Sequence, residues 1–471
     1  MTEVRKDIMT GADDEIYRLS TRPDWLRKRL DWFMDQRLGL IIHWAPYSQW
    51  DCLESWPLVP ADTWARPDSC PQWIERHRDL DHFSKDYWKL NRTFNPTRFD
   101  ADQWAQLAAD AGAKYVAYTT KHHDGFCMFD TKTTDYRITH PDCPFHLDPR
   151  ADTVKQVFNA FRKQGMAISC YYSKSDWHCP WYWTPQGSKD RDRHPNYNTA
   201  EQPEVWEQFV QFVHRQIEEL MSQYGEIDLL WLDGGQVRPP DQDIRMGEIA
   251  QIARRYNPGL IMVDRTVGGA YEDLLTPEQK IPDVPLPGPW ESCITLGESW
   301  KYITTDQPKP TGDILRKLIE IVSKGGNLLL GVGPSPSGEI PEVMAARLRD
   351  IGDWLKVNGE AIYGSRPFAP YAFGPVRFTQ KQGDVYAMVL PDETGRFPDK
   401  ISLPLIPPQS AGQAVILGAV APGDWKRYEN VGCDVALRNS TSSLPITLKF
   451  SGAAKWQVAE VPARDHASGT V

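Results

Sequence analysis

Asp233 is the residue whose setting best suits nucleophilic or acid–base chemistry. It follows Leu229, Leu230 and Leu232, a run too apolar to leave a carboxylate inside it, and precedes Gly234-Gly235, which removes side-chain bulk around the carboxyl group. A carboxylate there faces a pocket but is poorly solvated; a loop or helix-capping aspartate fits the same letters. Glu291 stands beside Trp290 after a proline-rich approach. An indole face disfavours the charged carboxylate, which is how a general acid stays protonated near neutral pH, although an exposed loop glutamate fits equally well. His122-His123-Asp124, with His43 and His178 elsewhere, invites a metal site. Adjacent imidazoles leaving a strand diverge, and no His-Glu-x-x-His or Cys/His cluster supplies a compact ligand set, so no metal is assigned. Hydrogen bonding to polyol hydroxyls is the better use of these rings. There is no Walker-type loop, and Gly331-Val332-Gly333-Pro334 lacks the dinucleotide spacing, so no cofactor is called for.

Short apolar runs alternating with helical-period segments must position these residues. Leu38 to Ile42, Tyr115 to Thr119, Met166 to Tyr172, Ile227 to Leu232, Leu260 to Val263 and Asn327 to Val332 read as strands, with another expected behind the prolines of Val284 to Trp290. Between them, Asp100 caps a helix over 101–111 with Gln103 and Gly112 as further end signals, and Val154, Val157, Phe158 and Phe161 share one helical face. Longer stripes follow at Trp206 to Leu220 and Ile314 to Val322. This rhythm predicts a (β/α)8-like, TIM-type barrel over residues 1–365, with its site at the carboxyl ends of the strands. Past Glu360 the helices give way to a hairpin at Arg377 to Leu390 and further strand candidates at Ala414 to Leu417, Ile446 to Phe450 and Trp456 to Val461. Residues 366–471 therefore read as a C-terminal antiparallel β-sandwich.

Composition narrows the partners. The chain has 471 residues, 41% hydrophobic and 25% charged, ordinary for a folded soluble protein. With 53 basic against 63 acidic residues, it offers no footprint for a phosphate backbone, so nucleic acid is not an expected partner. No run approaches the ~18 apolar residues of a membrane span. The first twenty residues carry Glu3, Arg5, Lys6 and Asp7 and no apolar core of a signal peptide, so a cytoplasmic chain is expected, or a secreted or periplasmic one if the start is engineered. The eight cysteines form no Cys-x-x-Cys pair and read as free, mostly buried thiols. A homo-oligomer is left open. The 19 tryptophans exceed both Tyr and Phe, and flat indoles suit a large core or a site that stacks sugar faces.

Two carboxylates at different strand ends, ringed by His, Arg, Tyr and Trp, suit cleavage of a glycosidic bond through a positively charged, oxocarbenium-like transition state. The motifs go further. Leu38-Gly39-Leu40-Ile41-Ile42-His43-Trp44, Glu54-Ser55-Trp56, Lys121-His122-His123-Asp124-Gly125-Phe126, Tyr171-Tyr172-Ser173, Trp231-Leu232-Asp233-Gly234, Asp264-Arg265, Trp290-Glu291-Ser292-Cys293 and Ser323 to Leu330 resemble, in order, the α-L-fucosidases of glycoside hydrolase family 29. Ala45, Thr266 and Lys301 depart from that pattern. The resemblance implies a retaining exo-α-L-fucosidase acting on a fucosylated oligosaccharide or glycoside through a covalent fucosyl-enzyme. Asp233 would be its nucleophile and Glu291 its acid/base, with Glu54 in reserve for that role. His43, Glu54, Trp56, His122, His123, Tyr171, Trp231 and Arg265 would bind the sugar or line its pocket. A transfucosylase, an α-L-galactosidase-like enzyme or a non-catalytic carbohydrate-binding protein would use the same residues.

Overall fold

The computed structural model describes residues 22–406, 414–418, 425–428, 432–437, 443–452 and 457–458. Seven strands, β1 (Leu38–Ile42), β2 (Tyr115–Lys121), β3 (Ala167–Ser173), β4 (Leu229–Asp233), β5 (Ile261–Asp264), β6 (Glu291–Thr295) and β7 (Asn327–Val332), pair in parallel in the order β5-β4-β3-β2-β1-β7-β6. β1, β2 and β3 are buried at every residue, as expected of strands covered on both faces, and this explains why they read as continuous apolar runs.

The gap between β5 and β6 is bridged by an irregular stretch, residues 271–279. On one side Asp264 donates its N–H to Tyr271 O and Asp273 to Met262 O; on the other, Leu275 donates to Pro289 O, Glu291 to Leu275 O and Cys293 to Pro277 O. The two sheet edges are thus satisfied by one piece of chain, and the barrel closes without a regular strand there.

Helices with the predicted end signals alternate with the strands: α1 (Asp24–Met34), α2 (Ala101–Asp110), α3 (Thr153–Lys163), α4 (Pro203–Gln223), α5 (Met246–Tyr256), α6 (Thr311–Ser323) and α7 (Glu342–Asn358). Asp100 accepts from Gln103 N at 3.0 Å and Asp152 from Lys155 N at 3.2 Å, each satisfying an otherwise orphaned N–H of a first turn. Helix α1 closes the amino-terminal end of the barrel. Its Phe33 meets Tyr115 edge-on at 5.0 Å, and its Leu26 and Leu30 join the interior residues Ile41, Leu229, Ile261 and Leu329. Gly39 is required beside them, because a Cβ there would stand 2.3 Å from the Tyr115 ring.

The chain forms two compact units, Met1–Lys309 with Asn327–Gly352, and Pro310–Gly326 with Asp353–Val471. The 365/366 boundary read from sequence falls inside the second unit, which begins at Asp353 and also takes in α6. That unit carries a five-stranded antiparallel sheet of β8 (Arg366–Phe373), β9 (Val376–Lys381), β10 (Asp384–Val389), β13 (Val415–Ile416) and β16 (Ile446–Phe450). A second sheet holds β11 (Lys400–Leu403), β14 (Trp425–Tyr428) and β15 (Gly432–Ala436), and β12 (Leu405–Ile406) pairs with β17 (Gln457–Val458). Phe378, Val385, Leu448 and Phe450 from the first sheet share one core with Ile401, Leu403, Cys433 and Val435 from the second, which is the sandwich arrangement. The β9–β10 hairpin turns at Gln382-Gly383, both with positive φ (51° and 89°), the twist-matched two-residue turn. Of the expected strand at 456–461, only Gln457 and Val458 lie among the described residues.

Candidate active site

Strand alternation carries the site. Leu229 and Trp231 of β4 point into the barrel core, so Asp233, two residues on, reaches the same interior at the carboxyl end of the strand. The turn behind it needs glycine: Gly234 has φ +93°, and a Cβ there would approach His123 to 3.3 Å. A cavity of about 460 Å³ opens at this end, and Asp233 lines it with His43, Glu54, Trp56, His122, His123, Tyr171, Trp231 and Arg265. Nine of the ten residues expected at the site therefore meet in one place.

Asp233 is held as an anion from three sides. Arg265 Nη1 donates to Oδ1 at 2.9 Å, Tyr171 OH donates to Oδ2 at 2.9 Å, and His123 Nε2 lies 3.3 Å from the same oxygen. Burial works against the charge, but Arg265 and His123 outweigh it and keep the carboxyl well below the usual carboxylate range. The paired histidines are fixed by serines: His122 Nδ1 shares a hydrogen bond with Ser55 Oγ, and His123 Nδ1 with Ser175 Oγ, both at 2.5 Å. Burial also pushes His43 down to about 4 and His122 well below its ordinary value, so both are neutral imidazoles near pH 7. His43 Nδ1 and Glu54 Oε1 are buried with no hydrogen-bond partner on the protein, and both residues line the cavity. Polar atoms left so are paired when a ligand brings hydroxyl groups.

Glu54 sits on a tightly held loop. Its φ of +27° is unusual for a residue with a side chain, and burial pushes its carboxyl up to about 7 despite the nearby Lys301. Lys301 Nζ in turn donates to the carbonyls of Trp50 and Tyr302, and Thr304 N donates to Asp51 Oδ1 at 2.9 Å. Cys52 and Cys70 are joined as a disulfide with Cα atoms 5.8 Å apart, correcting the expectation of eight free thiols; the other six are free and buried. The pair is 18 positions apart in sequence, and only the turns of the intervening loop bring them together.

Glu291 stands elsewhere. The sequence reading placed it after a strand spanning 284–290, but β6 begins at Glu291 and runs to Thr295, so this carboxylate occupies the amino-terminal end of its strand. It does not line the cavity; it lies beneath it, 1% exposed, accepting from Trp231 Nε1 at 2.8 Å and from Tyr115 OH at 2.7 Å. Burial pushes it up to about 7, against the pull of those two hydrogen bonds. A protonated glutamate against an indole was therefore sound chemistry at the wrong level of the barrel. The carboxylate that faces Asp233 across Arg265 is Glu278, on the bridging stretch: Arg265 Nη2 donates to its Oε2, and Trp300 Nε1 to its Oε1 at 3.2 Å. Its side chain is 42% exposed on the outer wall of the cavity. The sequence reading missed it. The available signal was Leu274-Leu275, both fully buried, which mark the bridging stretch as an interior element although it is too short and irregular to read as a strand.

The tryptophans divide as well. Trp56, Trp64, Trp231 and Trp300 line the cavity, whereas Trp44 packs against Phe94 and Trp104, Trp177 stacks on Trp183 at 5.3 Å, and Trp290 is buried away from it.

An anion fixed at a barrel strand's end, with a partly exposed carboxyl group opposite it, is the means of stabilising and trapping positive charge at a sugar's anomeric carbon, and places the protein among the glycoside hydrolases. Residues 9–360 match the family described as Alpha-L-fucosidase, and the chain belongs to that family. Human tissue alpha-L-fucosidase is 27% identical over 94% of this chain and 96% of its own. Among solved structures, alpha-L-fucosidase isoenzyme 1 from Paenibacillus thiaminolyticus is similar with a TM-score of 0.73 and 29% identity over 91% of this chain and 99% of its own. The Thermotoga maritima alpha-fucosidase in complex with fucose gives a TM-score of 0.70 and 26% identity over 91% and 99%.

Proposed function

We propose that the protein is an exo-acting α-L-fucosidase that works with retention of configuration, using Asp233 as nucleophile and Glu278, in place of Glu291, as acid/base. The observation that carries this reading is the Arg265 bridge, which sets an obligate anion and a solvent-reachable carboxyl group against one cation inside a sugar-sized cavity. In the first step an Asp233 oxygen bonds to C1 while the C1–O bond breaks and Glu278 gives its proton to the departing oxygen. In the second, Glu278 removes a proton from water, whose oxygen bonds to C1 and releases Asp233. Arg265 holds the side chains of Asp233 and Glu278 on one guanidinium.

The glycone belongs in the buried part of the cavity, where His43 and Glu54 present their unpaired polar atoms. The fucose complex of the Thermotoga relative supports fucose as that glycone. The Cys52–Cys70 disulfide favours an oxidising compartment over the cytoplasmic location expected from the sequence.

Proton NMR of an aryl α-L-fucoside digest tests the reading. The first-formed sugar is expected to be α-L-fucose; β-L-fucose appearing first would overturn the nucleophilic role of Asp233, and no release at all would overturn the activity.

A further inference from the structure

The four indoles lining the cavity differ in setting. Trp231 is buried, Trp56 and Trp300 are half-buried, and Trp64 is 52% exposed. Exposed as it is, Trp64 is tethered. Its Nε1 donates to Asp62 Oδ1 at 3.2 Å, and Asp62 accepts from Arg193 Nε at 2.9 Å and Nη2 at 2.7 Å. The Arg193 guanidinium lies 4.6 Å from the centroid of the Trp56 ring, and the Trp56 and Trp64 rings are 6.1 Å apart. Asp62 is itself buried, so the indole edge is anchored to a fixed point while its face stays open.

Exposure rises from the inner wall to the rim: His123, Tyr171 and Trp231 are buried, whereas Glu278 and Glu298 are exposed. A bond cleaved between Asp233 and Glu278 has its glycone on the inner side and its leaving group on the rim, where Trp64 stands. The cation there is already matched, since Arg193 is committed to Asp62, which favours an uncharged occupant.

We infer that Trp64 is the platform of a leaving-group subsite that stacks on the apolar C–H face of a neutral pyranose. The rim residues Gln236, Glu298 and Arg193 supply hydrogen-bonding groups for that ring's hydroxyls. This inference rests on the fucosidase reading and names what the enzyme removes fucose from.

The test compares α-L-fucosyl fluoride, whose leaving group has no ring, with a panel of fucosyl disaccharides carrying neutral second sugars. Trp64→Ala is expected to lower kcat/KM for the best disaccharide by about tenfold, the scale of one aromatic stacking contact, and to do far less to the fluoride; Trp64→Phe, which keeps a face, recovers most of the loss. Equal falls on both substrates would overturn the subsite, as would a native enzyme that cleaves the fluoride but no disaccharide of the panel. Native enzyme that leaves the fluoride intact would overturn the fucosidase reading itself.

Discussion

Arg265 donates to Asp233 at 2.9 Å through Nη1 and turns Nη2 of the same guanidinium to Glu278. The planar fork fixes both carboxyl groups to one rigid body, and the ring of Trp231 lies under it, 5.0 Å from the guanidinium carbon. The guanidinium keeps both in place while Asp233 forms and breaks its bond to C1 and Glu278 gives a proton to the leaving oxygen and takes one from water.

Asp233→Gly is expected to lower turnover of an aryl α-L-fucoside by about 10⁴-fold or more, since the residue forms the covalent bond. Azide, replacing the missing carboxylate, should restore part of the rate and give β-L-fucosyl azide, identified by NMR. Recovery of the α-azide would mean that Asp233 acts as acid/base instead.

The two glutamates separate cleanly. Glu278→Gln should cost about 10²–10⁴-fold on fucosides with poor leaving groups and much less on fucosyl fluoride, the signature of a lost general acid. Glu291→Gln keeps an oxygen acceptor for Trp231 Nε1 and should retain activity on both within about tenfold. The reverse pattern would return Glu291 to the chemistry.

Glu291 also leaves a mark on stability. Burial holds its carboxyl at about 7 in the folded protein, against about 4.5 for an exposed glutamate. The folded state thus binds the proton more tightly than the unfolded one. The contribution is fully present below about pH 4.5 and is lost as pH rises toward 7, by up to about 3 kcal/mol for a shift of that size. Melting temperatures of the native protein and of Glu291→Gln, measured from pH 4.5 to 7, check this: the variant's profile should fall less steeply with rising pH.

Reducing the Cys52–Cys70 bond should lower stability by about 3 kcal/mol, the chain-entropy scale for a loop of that length. The same loop carries Glu54 and Trp56, so KM for an aryl fucoside should rise in Cys52→Ser/Cys70→Ser with a smaller effect on kcat. An unchanged KM would mean that Lys301 and Thr304 hold the loop without the disulfide.

The barrel and the inner wall were legible because both follow from alternation. A strand that reads Leu229 to Asp233 dictates which side chains share its interior face, and the same rule places Tyr171 and His43. Glu278 was not legible because its supporting stretch pairs with two edges in different senses, antiparallel to β5 and parallel to β6, and so shows no single period. A strand expected at 284–290 puts Glu291 at a carboxyl end, whereas β6 begins at Glu291 and puts it at the amino end. The disulfide escaped for a different reason, since a loop of turns brings its ends together by conformation that no residue spacing encodes.

That bridging stretch also divides the site by how firmly its parts are held. The residues that hold the glycone and the nucleophile ride largely on strands locked by neighbours on both sides, where a one-residue insertion would turn every side chain to the wrong face. Glu278 rides on a piece held alongside β6 by isolated bridges, Leu275 to Trp290 and Glu278 to Cys293, rather than by a regular ladder. A change in that piece can therefore shift the acid/base group with less disturbance to the strands that grip the sugar.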